Sequence, residues 1–324
     1  MQKNRFVLID AFALIHRAFH AIPPLTTKDG HLVNAVYGFS SALLGAIKEL
    51  QPEYLAVGFD LPKPTLRHKE YVEYKAHRAP TPDELVSQIP YVKEVLKTLN
   101  IPIVAVEGYE GEDVIATVIK QQQTTHKQQL KNSKSTNKLS VGDCQLEFII
   151  VTGDLDCLQL IDKQTKVYSM ARGVNQAIMY DEEKVKERYG LKPSQFVDFK
   201  ALKGDPSDNI PGVPGIGEKG AAKLVAEFGN LEKIYHAISS KRKNIEKISQ
   251  KYQTLLKENK EQAILSQKLS KIATDVPLEF NLADARIHDY SQDDVIKLFN
   301  KLGFKSLISR LPDSHRANNQ QKLL

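Results

Sequence analysis

Residues 203–229, KGDPSDNIPGVPGIGEKGAAKLVAEFG, decide how the rest of the 324-residue chain is read. Two carboxylates, Asp205 and Asp208, stand directly ahead of a segment broken up by Gly212, Pro214, Gly215 and Gly217. Ala221, Ala222, Leu224, Val225 and Phe228 then recur at helical spacing, and Gly229 stands where a left-handed C-terminal cap belongs. Gly-Ile-Gly ahead of Glu218 leaves the start of that helix with uncovered backbone N–H groups. Such an end carries partial positive charge and suits a phosphate. The plainer alternative is a loop between two helices with the aspartates as N-caps. A carboxylate pair beside an anion-binding hairpin points instead to phosphodiester chemistry.

Upstream, the chain alternates short apolar runs with helical patterns. Residues 5–9 (RFVLI) read as a buried strand and residues 11–21 as a helix with Phe12, Ile15 and Phe19 on one face. Residues 37–50 form a second helix, 54–59 (YLAVGF) a second strand, 92–99 a helix and 103–106 a third strand. A helix then runs through Ile119, residues 148–152 (FIIVT) make a fourth strand, and 167–169 a fifth. This rhythm predicts an α/β domain with a mainly parallel sheet and helices on both faces. Ligands bind beyond the carboxyl ends of such strands. Asp10, Asp60, the group Glu110, Glu112 and Asp113, and the pair Asp154 and Asp156 each follow a strand, so they are expected at one edge. One acidic residue after a strand is ordinarily an N-cap or turn former. Four such groups after four strands repel one another unless a cation sits between them.

Hydrolysis of a phosphodiester needs a hydroxide nucleophile and relief of charge on the leaving oxygen, which two divalent ions roughly 4 Å apart supply. Mg²⁺ suits an all-carboxylate pocket. The nine histidines are scattered, and His16 and His20, although at i, i+4, lack the glutamate and third ligand of a zinc protease. Straight after Asp60, residues 61–90 interrupt the strand–helix rhythm. They carry Arg67, His68, Lys69, Lys75, His77 and Arg78 interleaved with Tyr71 and Tyr74, a mix suited to single-stranded nucleic acid. Standing alone, such a stretch would read as a solvated charged helix; beside a carboxylate cluster it reads as a grip.

Several of these stretches resemble one family. GDPSDNIPGVPGIGEK is similar to the helix–three-turn–helix signature of the bacterial 5′→3′ exonucleases, the family that includes the N-terminal nuclease domain of DNA polymerase I. The phage 5′ nucleases and, more distantly, the flap endonucleases belong to the same superfamily. LID with Asp10, GFD with Asp60, YEGED with Glu110, Glu112 and Asp113, TGDLD with Asp154 and Asp156, and GDPSD with Asp205 and Asp208 match the family's acidic positions. The resemblance spans about residues 4–311. It implies a PIN-like catalytic domain over residues 1–175, with an arch at 61–90; residues 121–147, rich in Gln, Lys, Ser and Asn and with little apolar periodicity, read by composition as a solvated, mobile insertion on it. A helix–three-turn–helix DNA-binding domain with closing helices follows over 176–311; beyond the resemblance, the polar composition of residues 312–324 reads as a disordered tail.

By the same resemblance the nine carboxylates hold two or more Mg²⁺ ions, with Mn²⁺ able to substitute, and the hairpin carbonyls hold K⁺. Lys75 and Arg78 in YKAHR contact the scissile phosphate, Tyr74 stacks near the terminal base, and Arg17 and Arg67 contact DNA. Gly212, Val213, Gly215, Ile216, Gly217 and Lys219 grip the duplex backbone, which carries no sequence information. The implied activity is structure-specific 5′→3′ exonuclease and 5′-flap endonuclease action on DNA in primer removal and repair. The implied partners are DNA with a 5′ flap or 5′ end, and a DNA polymerase; the chain is expected to be a monomer. A non-catalytic DNA-binding homologue and a PIN-type ribonuclease are the rival readings. The first would replace carboxylates by neutral residues, and the hairpin and arch speak against the second.

The sequence departs from the family pattern at four places. Glu112 replaces an aspartate and adds a methylene at an expected ligand position. Leu155 replaces a lysine between two aspartates, Ala11 replaces a glycine, and Gly220 replaces a threonine after Lys219. Glycine inside a helix costs on the order of 1 kcal/mol relative to alanine.

Composition agrees with this reading. Hydrophobic residues make up 41% and charged residues 26%, as in a folded globular chain. A net charge of +6 and a pI of about 9.0 favour a polyanionic partner. Cys144 and Cys157 match no metal spacing and argue against a secreted disulfide scaffold. Asp10, His16 and Arg17 interrupt the N-terminal apolar run too early for a signal peptide, and no stretch approaches the ~20 apolar residues of a membrane helix. A cytoplasmic protein with no membrane partner is expected and, with no polymerase segment after Leu324, a separate nuclease.

Overall fold

The structure is a computed structural model that describes residues 4–135, 146–170, 177–240, 245–287 and 289–313. Its centre is a six-stranded sheet. The strands are β1 (Arg5–Asp10), β2 (Tyr54–Gly58), β3 (Ile103–Val104), β4 (Glu147–Thr152), β5 (Thr165–Ser169) and β6 (Ile178–Tyr180). They lie in the order β3-β2-β1-β4-β5-β6, all neighbours parallel except β5 and β6. The runs read as strands in the sequence are continuous apolar stretches because both faces are covered. Val7 and Ile9 of β1 pack on one side, while Phe6 and Leu8 pack on the other. The antiparallel β6 carries the sheet to Tyr180, a strand too short to leave a pattern in the sequence.

Helices α1 (Ala11–Ala21), α2 (Asn34–Leu50), α3 (Leu66–Glu70), α4 (Asp83–Val86), α5 (Ile89–Thr98) and α6 (Gly111–Ser135) fill the first part of the chain. α1, α2 and α5 cover the Val7/Ile9 face, and α6 covers the other. α1 and α2 cross closely at Gly38, where a methyl group would lie 2.5 Å from Ala18 Cβ. α6 corrects the expectation of a solvated loop from residue 121: the helix continues to Ser135. Its apolar periodicity stops near Ile119, and glutamine side chains anchor the next turn instead. Gln121 Nε2 donates to Leu278 O at 2.7 Å, Gln122 Nε2 to Phe280 O at 3.2 Å and Gln123 Nε2 to Asp162 Oδ2 at 3.0 Å. The rest of the expected insertion, residues 136–145 with Cys144, lies outside the described residues.

The second part of the chain is helical: α7 (Glu182–Tyr189), α8 (Phe196–Lys203), α9 (Glu218–Phe228), α10 (Leu231–Ser240), α11 (Gln250–Glu258) and α12 (Lys260–Ser270). Their apolar faces join Phe6, Leu8, Phe148, Ile150 and α6 in one continuous core. α13 (Gln292–Leu302) and α14 (Lys305–Ile308) then return to the opposite face of the sheet. α13 buries Val295, Leu298, Phe299 and Leu302, the i, i+3, i+4, i+7 stripe of an amphipathic helix. Of the expected tail, residues 314–324 lie outside the described residues.

Candidate active site

The sheet reverses its winding between β1 and β4, and the carboxyl ends of those strands open onto a cleft, where doubly wound sheets bind ligands. The cleft has a volume of about 950 Å³. Asp10, Asp60, Glu110, Glu112, Asp154, Asp156 and Asp205 all line it, so carboxylates spread over nearly 200 residues of sequence share one space. Arg17, Lys75, Arg78, Lys200 and Lys203 line the same cleft.

Each acid is held by a specific contact. Asp10 ends β1 and caps α1, accepting from Ala13 N–H at 3.2 Å and from the Thr152 hydroxyl at 2.7 Å. Its carboxyl is pushed up to about 7, chiefly by burial and then by Asp60 and Asp154. Asp60 accepts from Gly111 N–H at 3.1 Å, and burial raises it as well. That bond depends on Gly58: a methyl there would lie 2.8 Å from Gly111 O and would push the start of α6 away from β2. Glu112, in the first turn of α6, is raised well above the ordinary glutamate range, by burial first. Asp154 accepts from Asp156 N–H at 2.8 Å. Asp156 is pushed up to about 7 by burial and by Asp154, against the opposing pull of Lys200.

Basic side chains occupy the remaining acids. Lys200, on α8 and only 5% exposed, pairs with Asp156 and lies 2.6 Å from Asp205. Burial would raise Asp205, but Lys200 and the Ser207 contacts outweigh it and hold its carboxyl low. Lys75 Nζ is 2.9 Å from Glu110, and Arg78 reaches Asp208 at 2.5 Å and Ser207 O at 3.3 Å. Lys75 N–H donates to Asp208 O at 2.9 Å, and Asn209 Nδ2 to Glu73 O at 2.7 Å, so the 73–78 turn is pinned to the 205–209 loop. Asp10, Asp60 and Asp154 form no ion pair among the described residues. The acids line the cleft side by side. Among the described residues no three His, Cys, Asp or Glu groups form a closed ligand cluster as they stand, so the carboxylates would have to draw together around an ion.

Four expected site residues sit differently from their expected roles. Asp113 does not line the cleft; its two oxygens take Arg67 at 2.7 and 2.8 Å, and it also accepts from Ala273 N–H. Arg67, expected on DNA, is buried, with Glu110 at 3.2 Å and carbonyls of Leu269 and Lys271 as further partners. Asp208 is likewise turned to the arch residues Arg78 and Tyr74. Tyr74, expected to stack on a base, is 2% exposed; its hydroxyl lies 3.3 Å from Glu110 and 3.2 Å from Asp208. The expected arch, residues 61–90, is built of short turns and short helices, with Lys75 at φ +56°.

In the hairpin, Val213 and Ile216 are buried while Gly215, Gly217 and Lys219 face solvent, so glycine backbone forms part of its outward surface. Gly212, at φ +63°, packs on Gly204 so closely that a methyl group would lie 2.3 Å from Gly204 N. Ser266 and Gln262 of α12 bond Gly212 N–H and O at 3.0 and 2.8 Å. Lys200 and Thr152 also belong to the site, through their contacts with Asp156, Asp205 and Asp10, and no sequence motif marks them. Lys200 stands five residues before Asp205 within FKALK, but nothing in the sequence distinguishes an inward lysine from an outward one.

The family model for the N-terminal resolvase-like domain of 5′-3′ exonucleases matches residues 5–190, and that for their C-terminal SAM fold matches 191–293. The chain is 40% identical to DNA polymerase I of Caldicellulosiruptor bescii over 309 residues, covering 95% of this chain and 33% of that protein. It is 37% identical to DNA polymerase I of Bacillus subtilis over 323 residues, 99% of this chain and 34% of that one. The chain thus spans about a third of these relatives. The flap endonuclease of bacteriophage T5, solved as a pseudo-enzyme–product complex with DNA and metal ions, shares the fold with a TM-score of 0.64. That similarity comes at 19% identity and covers 93% of this chain and 100% of that one. A PIN-like resolvase-type sheet domain joined to a helical SAM-fold domain is the architecture of a nuclease class. This chain belongs to the 5′-3′ exonuclease family. No helix among the described residues is long and apolar enough to cross a membrane.

Proposed function

We propose that the chain hydrolyses DNA phosphodiesters at 5′ ends and 5′ flaps with divalent metal ions, Mg²⁺ first and Mn²⁺ as a substitute. One observation carries this reading: seven carboxylates from separate segments meet in one cleft beside Lys75 and Arg78. The donor set fits the metal. All its ligands are hard oxygens, and burial together with mutual repulsion raises Asp10, Asp60, Glu112 and Asp156, which is where an added cation is stabilising. Asp10, Asp60, Glu112, Asp154 and Asp156 would hold it, with Glu110 and Asp205 beside them; Asp113 and Asp208 act through Arg67 and the arch. When bound, the ions would supply an activated water and stabilise the leaving oxygen.

The chain's own residues do the rest. Arg17, Lys75 and Arg78 neutralise the incoming phosphate, and Arg78 offers a planar fork to its oxygens. Lys75 and Arg78 exchange Glu110 and Asp208 for the phosphate as it enters. The hairpin around Gly215 and Gly217 holds the duplex backbone through its N–H groups, and its carbonyls would hold a potassium ion. The reading implies a monomer that removes primers and repairs flaps in the cytoplasm, alongside a DNA polymerase activity. Cleavage of matched DNA and RNA 5′ flaps, with Mg²⁺ and with chelator, tests it. Metal-dependent cleavage of the DNA flap is expected. No metal-dependent product would overturn the enzyme reading, and cleavage confined to RNA would overturn the substrate.

A further inference from the structure

Gly220 stands in the first turn of α9, next to the hairpin. Its φ lies outside the left-handed region, so the backbone does not require glycine there. What occupies the space is the ring of Tyr252 from the first turn of α11. A methyl group on Gly220 would lie 2.4 Å from Tyr252 Oη, 2.9 Å from Cζ and 3.2 Å from Cε2. One turn further along the same face of α11, Leu255 Cδ1 stands 3.0 Å from where a side chain on Gly215 would begin. Tyr252 is itself seated by its backbone, whose N–H donates to Ser249 Oγ, the N-cap of α11, at 3.3 Å. Both side chains are partly buried and pack against the core that holds Val213, Ile216 and Ala221. A single face of α11 therefore presses on the hairpin at Gly215 and on the helix start at Gly220.

We propose that Tyr252 is a positioning residue for the DNA grip, and that Gly220 and Tyr252 are a matched pair in which the glycine exists to admit the ring. The inference rests on reading the hairpin and the start of α9 as the duplex-binding element. Those N–H groups have no partner inside the helix and must be aimed as a set. The ring fixes the first turn of α9 against α11 and so fixes their direction. A methyl at 220 forces the ring out, and the first turn loses its brace.

Helix propensity alone predicts the opposite sign, because alanine is the better helix former by about 1 kcal/mol. The test measures binding of a 5′-flap duplex in Ca²⁺, kcat at saturating substrate in Mg²⁺, and Tm, for Gly220→Ala, Tyr252→Ala and the double variant. Gly220→Ala alone should weaken duplex binding roughly three- to tenfold with kcat at saturation unchanged. In the Tyr252→Ala background the same change should cost nothing in binding and raise Tm. Equal damage by Gly220→Ala in both backgrounds, or none in either, overturns the pairing. A wild-type chain that fails to bind the duplex would overturn the reading of the hairpin instead. The Tm cycle would still report whether the two side chains are coupled.

Discussion

Asp154 is the cleft carboxylate whose only described partner is the neighbouring Asp156 N–H, so it is free to meet a cation. Asp154→Asn should cut turnover roughly 100-fold or more while leaving flap binding in Ca²⁺ intact. Unchanged turnover would remove it from the ion site. Asp10 and Asp156 are pushed up to about 7 in the fold, against ~3.9 in an unfolded chain. Raised carboxyls hold extra protons in the folded state, so stability from them is complete below ~4 and is lost as pH rises through 7. Asp205, held low by Lys200, has the opposite sign and loses its contribution only as pH falls below the ordinary carboxylate range. In chelator the Tm should therefore fall between pH 5 and pH 8. Mg²⁺ should restore it at pH 8 and change it little at pH 5. A Tm that is flat across this interval in chelator, or an equal gain from Mg²⁺ at both pH values, would contradict the raised carboxyls.

At the scale of elements, the arch separates into two jobs that its sequence does not distinguish. Arg67 and Arg78 both look like phosphate ligands in RHKEYVEYKAHR, yet one is buried against Asp113 while half of the Arg78 side chain is exposed beside the cleft. Removing Arg67 leaves a buried carboxylate unpaired, which costs about 3–5 kcal/mol. Arg67→Ala should therefore lower Tm and cleavage together. Arg78→Ala should lower the cleavage rate more than duplex affinity and leave Tm near the wild-type value. Thermal melts beside single-turnover kinetics separate the two; the reverse pattern would mean that Arg78, not Arg67, holds the fold. Leu155 packs its side chain against the helical core, and Lys200 supplies the cation between Asp156 and Asp205.

Across the whole molecule, the helices that follow the sheet are not an appended module. α6, the sheet face of Phe6 and Leu8, and α7 to α12 share one core, while α13 and α14 seal the opposite face. Urea unfolding should therefore be a single transition. Phe299→Ala, at a fully buried site on α13, should lower stability by about 3–5 kcal/mol and shift that whole transition. Two transitions, only one of them moved by the substitution, would mean the layers unfold independently.

The sequence by itself determined the sheet, its covering helices and the edge where the acids gather. Strand-length apolar runs followed by an aspartate leave little choice in a parallel sheet, because both faces must be buried and the carboxyl ends must face one way. It also marked the hairpin, since Gly212 and Gly215 adopt backbone angles that other residues rarely reach. Only the tertiary structure decided that Lys200 points inward, that Arg67 and Tyr74 are buried, that α6 extends past Ile119 on glutamine contacts, and that Gly220 answers Tyr252. Each of these depends on a contact with a group distant in the chain, whether side chain or backbone. Hydrophobic periodicity records which face of an element is covered, but not which polar partner waits there.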